Sequence, residues 1–152
     1  MTGQRKAYSL VEMIVVVMIL GAFTFIAIPH LNFAGLYKTQ AHTVAKQIVT
    51  DLRRTRSLAI SNAATNPTGY KLAMTGSAPY SGYQIINDAN SATVDAITIN
   101  SQINCSGGTE FRFGPLGNLR TGSSNQLTVS AQGRTYTITL ISGTGIVECT
   151  GG

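Results

Sequence analysis

The longest apolar run of the chain lies near its start. From Met13 to Ile28 there is no charged residue, and Thr24 carries the only polar side chain. Extended to Leu10 and Leu31, the run is about 20 residues long, enough for a helix to cross a bilayer core of roughly 30 Å. The pattern therefore predicts a membrane anchor at the beginning of the chain.

Beyond this run, apolar residues recur at steps of three and four, which is typical of a helix with one apolar face. The residues of this face are Ala41, Val44, Ala45, Ile48, Leu52 and Ala59. Helix-stopping residues follow at Asn66, Pro67 and Gly69. A helix continuous from Ser9 to about Asn62 would be roughly 80 Å long, and we expect Pro29 to kink it.

From Tyr70 onward the pattern changes to short segments with alternating apolar and polar positions, which predict β-strands. The candidates are Tyr70–Met74, Gly82–Asn87, Ala96–Ser101, Thr109–Phe113, Gln126–Ala131, Arg134–Ile141 and Gly145–Cys149. Gln132-Gly133 separates two of them and indicates a hairpin turn, since glycine takes positive φ freely. The predicted fold is therefore of the α+β class, with a long N-terminal helix packed on an antiparallel β-sheet domain.

Composition suggests where this domain resides. After the apolar run the chain is rich in Thr, Ser, Gly and Asn and poor in charge, which is typical of an exported β domain. The net charge is +5, and without Arg5 and Lys6 it is +3, a mild excess that permits an acidic partner without requiring one. Two cysteines, Cys105 and Cys149, favour a disulfide in an oxidising compartment. Closing this loop would stabilise the fold by about 4 kcal/mol, and the alternative is two unpaired buried thiols.

The residues in front of the apolar run combine a basic pair, Arg5-Lys6, with a single carboxylate, Glu12. The apolar run is too long for an ordinary cleaved signal peptide, and no convincing small-residue cleavage site follows it. Ser9 and Glu12 have the spacing of a capping box, in which the two side chains satisfy free amides at a helix start. That interpretation does not explain an anionic group at a membrane edge, where ionisable residues are costly and usually functional.

The stretch KAYSLVEMIVVVMILGAFTFIAIP resembles the class III leader and N-terminal helix of type IV pilins and type II secretion pseudopilins. The resemblance implies that prepilin peptidase cuts between Ala7 and Tyr8 and that Tyr8 is then N-methylated. It also implies that Glu12 recruits subunits by pairing with the N-terminal amine of a neighbour, and that Pro29 is the family's kinking proline. Ala7 stands where glycine is commonest and Tyr8 where phenylalanine is.

Three further segments indicate one smaller family among these pilins and pseudopilins. DLRRTRSLAISNA, FRFGPLGNL and QGRTYTITL occur in this order and are similar to the GspH/FimT family of minor pseudopilins and minor pilins. The implied organisation is a leader at 1–7, a transmembrane and assembly helix at 8–31, an amphipathic extramembrane helix at 32–66 and a periplasmic β-rich domain at 67–152. The implied function is a non-enzymatic subunit of a type IV pilus or a secretion pseudopilus, near the filament tip. Its implied partners are prepilin peptidase, other pilins and inner-membrane lipid.

Candidate catalytic and metal-binding residues are few. His30 and His42 have no Cys, Asp or Glu at ligand spacing, so we expect no metal site. The carboxylates Asp88, Asp95, Glu110 and Glu148 are scattered along the chain. No phosphate-binding glycine motif and no nucleophilic serine motif is present. We therefore expect no catalytic residues, no cofactor and no enzymatic activity.

Arg53, Arg54 and Arg56 form a basic stripe on the predicted second helical segment. We expect a solvated helix face with an Asp51–Arg54 pair and at most a weak nucleic-acid contact. The alternative function is a pilus-associated DNA receptor for natural transformation, with these arginines as its contacts. A third hypothesis is a signal-anchored domain outside any filament, in which Glu12 is only a helix cap.

Overall fold

The computed structural model describes residues 9–27 and 33–152. The chain divides into two compact units, Met1–Phe33 and Ala34–Gly152. Helix α1, Leu10–Ala27, belongs to the first unit. Helix α2, Phe33–Ser61, belongs to the second unit except for its first residue. Two antiparallel sheets follow α2. The predicted α+β class is confirmed.

The structure does not show the single long N-terminal helix that the sequence predicted, because its described residues form two separate helices. α1 has 18 residues and α2 has 29, and residues 28–32 between them lie outside the described part of the chain. The expected kink at Pro29 lies there and stays a prediction. α2 ends at Ser61, close to Asn62 but short of the predicted segment end at residue 66.

Asn66 explains why the chain turns after α2. Its buried side-chain amide donates to the Gly69 carbonyl and to Asn87 Oδ1, each at 2.8 Å. Its side-chain oxygen accepts hydrogen bonds from Gly69 N–H at 3.0 Å and from the Thr68 hydroxyl at 2.6 Å. A buried Asn with all these partners fixes the connection between α2 and the first strand.

The β region contains eight strands in two sheets of four. The strands are β1 Tyr70–Thr75, β2 Gly82–Asn87, β3 Thr93–Thr98, β4 Asn104–Gly107, β5 Glu110–Phe113, β6 Gln126–Ala131, β7 Arg134–Ile141 and β8 Ile146–Gly151. The first sheet has the order β3-β2-β1-β5 and the second the order β4-β6-β7-β8. We expected one antiparallel sheet, and the presence of two corrects that expectation.

The β6–β7 hairpin forms as its turn residues predict. Gln132 and Gly133 have φ of 49° and 80°, the pair of positive values that a two-residue type I′ turn needs. The register then places Val129 opposite Tyr136 and Leu127 opposite Ile138. All four of these side chains belong to the buried core, so the turn aligns the apolar positions of the two strands on one face.

Helix α2 and both sheets share one hydrophobic core. The predicted apolar face of α2 is confirmed, because Ala41, Ala45, Ile48, Leu52 and Ala59 are all fully buried. Val44 is partly buried against the same cluster. The first sheet adds Leu72, Tyr83, Phe111 and Phe113, and the second adds Leu127, Val129, Ile138 and Leu140. Side chains of α2 therefore bridge the inner faces of the two sheets.

Candidate functional site

Glu12 lies in the first turn of α1. The first helical hydrogen bond runs from Met13 N–H to the Ser9 carbonyl at 3.2 Å, so Ser9 stands at the N-cap position of the backbone. The predicted capping box is absent, because within residues 9–27 and 33–152 the Ser9 and Glu12 side chains make no hydrogen bond. Ser9 therefore starts the helix by its backbone alone. The Glu12 carboxylate is left without a partner in the part of the chain that the structure describes.

Apolar side chains surround Glu12 on α1, and they are exposed. Leu10, Met13 and Val16, for example, are 74%, 58% and 46% exposed. An α-helix that is apolar on all sides normally lies inside an apolar environment. Among the described residues, no helix combines the length and the hydropathy that crossing a membrane requires.

Three residues singled out by the sequence lie outside the described part of the chain. Ala7 and Tyr8 precede Ser9, and Pro29 falls between α1 and α2. The expected cleavage, methylation and kink at these positions stay predictions.

The three arginines of α2 do not form one basic surface. Arg53 Nη2 donates to the Val147 carbonyl of β8 at 3.2 Å. Arg54 Nη1 pairs with Asp95 of β3 at 2.6 Å. These two side chains therefore point to strands of different sheets.

Arg56 takes a third direction, toward two loops. Its Nε donates to the Gly117 carbonyl at 3.0 Å and to the Thr144 carbonyl at 3.2 Å. A Cβ added at Gly145 would collide with the Gly117 carbonyl oxygen, so this approach of the loops requires glycine. The arginine stripe thus fastens α2 to the rest of its own domain.

Asp51 and Arg54 do not pair, which corrects the expected helix-surface ion pair. Asp51 accepts a hydrogen bond from the hydroxyl of buried Tyr83 at 2.7 Å. Burial, followed by this contact with Asp51, raises the pKa of Tyr83. The hydrogen bond from Arg54 and that from the backbone N–H of Ala96 lower the pKa of Asp95. Both partners of the expected pair are therefore engaged with strands.

The structure does not contain the expected Cys105–Cys149 disulfide. Both cysteines are free, and they lie on β4 and β8, the two edge strands of the second sheet. Three strand spacings of about 4.8 Å separate such edges by about 14 Å, whereas a disulfide needs Cα atoms about 4.4–6.8 Å apart. Burial raises the pKa of the Cys105 thiol to about 12, so this thiol is held protonated inside the core.

A charged network on the first sheet was not anticipated from the sequence. Lys71 of β1 lies 3.6 Å from Asp88 and 3.3 Å from Glu110, and Arg120 reaches Asp88 at 3.8 Å. Arg112 pairs with Glu110 at 2.7 Å. Burial opposes ionisation of Glu110, but the hydrogen bonds from Arg112 and Lys71 outweigh it and lower its pKa. Asp88 and Glu110, distant in sequence, thus share Lys71 and together pair with three cations.

No group of three His, Cys, Asp or Glu side chains suited to a metal ion occurs among residues 9–27 and 33–152. His42 contacts the ring of Tyr136 instead, with ring centroids 5.4 Å apart. No family model, no curated protein and no solved structure matches this chain. The absence of catalytic and cofactor-binding function stays a prediction.

Proposed function

We propose that this chain is a non-enzymatic structural subunit of a type IV pilus or a type II secretion pseudopilus. In this proposal prepilin peptidase removes residues 1–7, Tyr8 is methylated, and the subunit joins the filament near its tip through its N-terminal helix. The β-rich domain then lies in the periplasm, with the N-terminal segment in the inner membrane until assembly. The leader and helix motif of the sequence is shared by both filament classes, so the proposal covers the two together.

The unpartnered carboxylate of Glu12 is the observation that carries the proposal. A carboxylate in apolar surroundings is costly when isolated and tolerated when it is paired with a cation. Within the described residues no cation of this chain approaches Glu12. The exposed apolar side chains around it also need a cover. Bundling with helices of the same kind supplies both needs, because each neighbour brings an apolar surface and an N-terminal amine.

The alternative of a DNA receptor has less support. Its proposed contacts, Arg53, Arg54 and Arg56, each bond to another part of the same domain. Binding nucleic acid through them would require breaking those bonds, and the three side chains do not line one track for a phosphate backbone.

Processing tests the proposal directly. Mass spectrometry of the protein from its native membrane should find an N-terminus at Tyr8 that carries one methyl group. Ala7→Leu is the control, because a bulky residue before the cut should leave the chain at full length. An intact Met1 in the unmodified protein, or a cut after Ala22 or Ala27, would remove the proposal.

A further inference from the structure

An open cleft of about 430 Å³ lies between the first turns of α2 and the start of β7. It is lined by Gly35, Lys38, Thr39, His42, Arg134 and Tyr136. Lys38 and His42 are one helical turn apart, so they lie on the same side of α2. Arg134 and Tyr136 are two residues apart on β7 and share a face of the strand. Two elements thus bring three basic side chains to one concavity.

Packing fixes part of this lining. Tyr136 is only 7% exposed, and its ring meets the His42 ring at an interplanar angle of 46°. This contact holds the wall of the cleft at the junction of helix and sheet. Lys38 and Arg134, by contrast, are exposed members of the lining.

Two basic side chains of the cleft, Lys38 and Arg134, have no bonding partner in the part of the chain that the structure describes. Among the lysines and arginines of residues 9–27 and 33–152, those whose side chains make neither an ion pair nor a hydrogen bond are Lys38, Lys46 and Arg134. Two of these three line the cleft. Neither the first part of α2, from Phe33 to Thr50, nor β7 contains an Asp or Glu. These two segments therefore supply no side-chain carboxylate to the cleft.

Chain length sets how far the cleft stands from the proposed membrane segment. Lys38 follows Leu31 by seven residues, and seven residues span at most about 25 Å when fully extended. If the apolar run lies in the bilayer, as the proposed function requires, the length of the chain keeps Lys38 within that distance of Leu31. A tethered site meets a high local concentration of headgroups, so a modest intrinsic affinity suffices for occupancy.

We propose that this cleft binds the phosphate headgroup of an anionic phospholipid, through Lys38 and Arg134 with the Tyr136 hydroxyl as a further donor. Lysine and arginine at a membrane surface each favour anionic lipid electrostatically, and arginine donates to phosphate in fixed geometry. The basic groups of the site meet in one cleft, whereas a nucleic acid needs a track of basic groups. The inference rests on the proposed membrane position of the N-terminal segment.

The test uses the full chain in neutral detergent, titrated with dihexanoyl-phosphatidylglycerol and followed by the NMR ring signals of His42 and Tyr136. Saturable shifts are expected, and Lys38→Gln and Arg134→Gln should each weaken binding about fivefold. Lys46→Gln is the matched control, since it removes an exposed, unpaired lysine outside the cleft. It should change affinity less than twofold. All three residues are exposed, and unchanged ring signals without ligand show that each variant is folded.

Four outcomes overturn the proposal. They are no saturable shift, equal weakening by Lys46→Gln, equal affinity for inorganic phosphate, and tighter binding of a short DNA strand. Equal affinity for inorganic phosphate would make the cleft a free-phosphate site, and tighter binding of DNA would make it a nucleic-acid site. Dihexanoyl-phosphatidylcholine should bind more weakly than the anionic lipid, and equal binding of the two lipids would also contradict the proposal. Cleavage before Tyr8 is tested separately by mass spectrometry. A failure of lipid binding by the cleft can therefore be distinguished from a failure of the proposed function.

Discussion

Tyr83 links the first sheet to a charged group on α2. The side chain is 1% exposed, and its hydroxyl donates to Asp51 at 2.7 Å. Asp51 is itself partly buried. The sequence identified both residues as parts of their elements but not as partners, because a contact across 32 positions leaves no local periodic signal. The same is true of Lys71, Asp88 and Glu110.

Tyr83→Phe should destabilise the fold by about 1.5 kcal/mol at neutral pH, since a hydrogen bond to a charged acceptor is lost.

The same substitution should also change how the free energy of unfolding depends on pH. The folded-state pKa of Tyr83 is raised, so the unfolded chain loses this proton first as pH rises past the ordinary tyrosine value of about 10. Its stabilising contribution is therefore full below that pH and declines above it. Denaturant unfolding from pH 8 to 11 should show a steeper alkaline loss in the unmodified protein than in Tyr83→Phe. Parallel pH profiles would contradict this role.

The two thiols should differ in reactivity. Cys105 is fully buried with a pKa raised to about 12, whereas Cys149 is partly exposed. Because the thiolate is the reactive form, alkylation of the folded protein near pH 8 should modify Cys149 and leave Cys105 untouched. Both should react in denaturant without reductant. Mass spectrometry counts the adducts, and recovery of a Cys105–Cys149 disulfide peptide would show that our structural correction is wrong.

At the scale of elements, α2 is held by arginines that reach strands and loops as well as by its apolar face. Arg56 is partly buried and bonds two carbonyls. Arg54 and Asp95 form an ion pair with both side chains over 40% exposed. A carbonyl that loses a charged donor near the core is costly, while exposed ion pairs contribute little.

Arg56→Ala should therefore lower the free energy of unfolding by about 1.5–3 kcal/mol, and Arg54→Ala by less than about 1 kcal/mol. The two variants remove the same charge from neighbouring positions of one helix, so each controls for the other. Denaturant unfolding of the full chain in mild detergent measures both. Equal losses would mean that net charge, and not the loop contacts of Arg56, sets the stability.

Strands with clear alternation and turn residues at both ends were predicted to the residue, as for Gly82–Asn87, Gln126–Ala131 and Arg134–Ile141. The third candidate was shifted by three residues, because Asn100 begins a turn in which it accepts hydrogen bonds from Gln102 N–H and Ile103 N–H. β4 was missed. Its sequence, NCSG, is short and polar and becomes a strand only by pairing with distant β6.

At the scale of the molecule, the sequence predicted the class but not the number of sheets. The pairs β1–β5 and β4–β6 join segments that other strands separate along the chain, and local patterns contain no information on such pairing. Among the candidate sites, Glu12 was evident because it is the one carboxylate before Asp51. The cleft was not, since Lys38 and Arg134 meet only through the fold.

Assembly is the property on which Glu12 can be tested. A capping role and an assembly role make different demands on its charge. Glutamine can replace glutamate in a capping box, but it cannot balance the amine of a neighbouring subunit. The structure already lacks the capping hydrogen bonds between Ser9 and Glu12 in its described residues.

Glu12→Gln should leave expression and membrane insertion intact and deplete the subunit from the filament. Breaking a buried ion pair from one side costs about 3–5 kcal/mol, enough to reduce incorporation by at least tenfold if the pair is buried in the bundle. Chemical crosslinking to neighbouring pilins, quantified by immunoblot, measures this loss. Ser9→Ala is the control, because it changes the N-cap and leaves the charge, and it should crosslink like the unmodified protein. If Glu12→Gln crosslinks as well as Ser9→Ala does, the carboxylate has no partner in a neighbouring subunit and the assembly role is wrong.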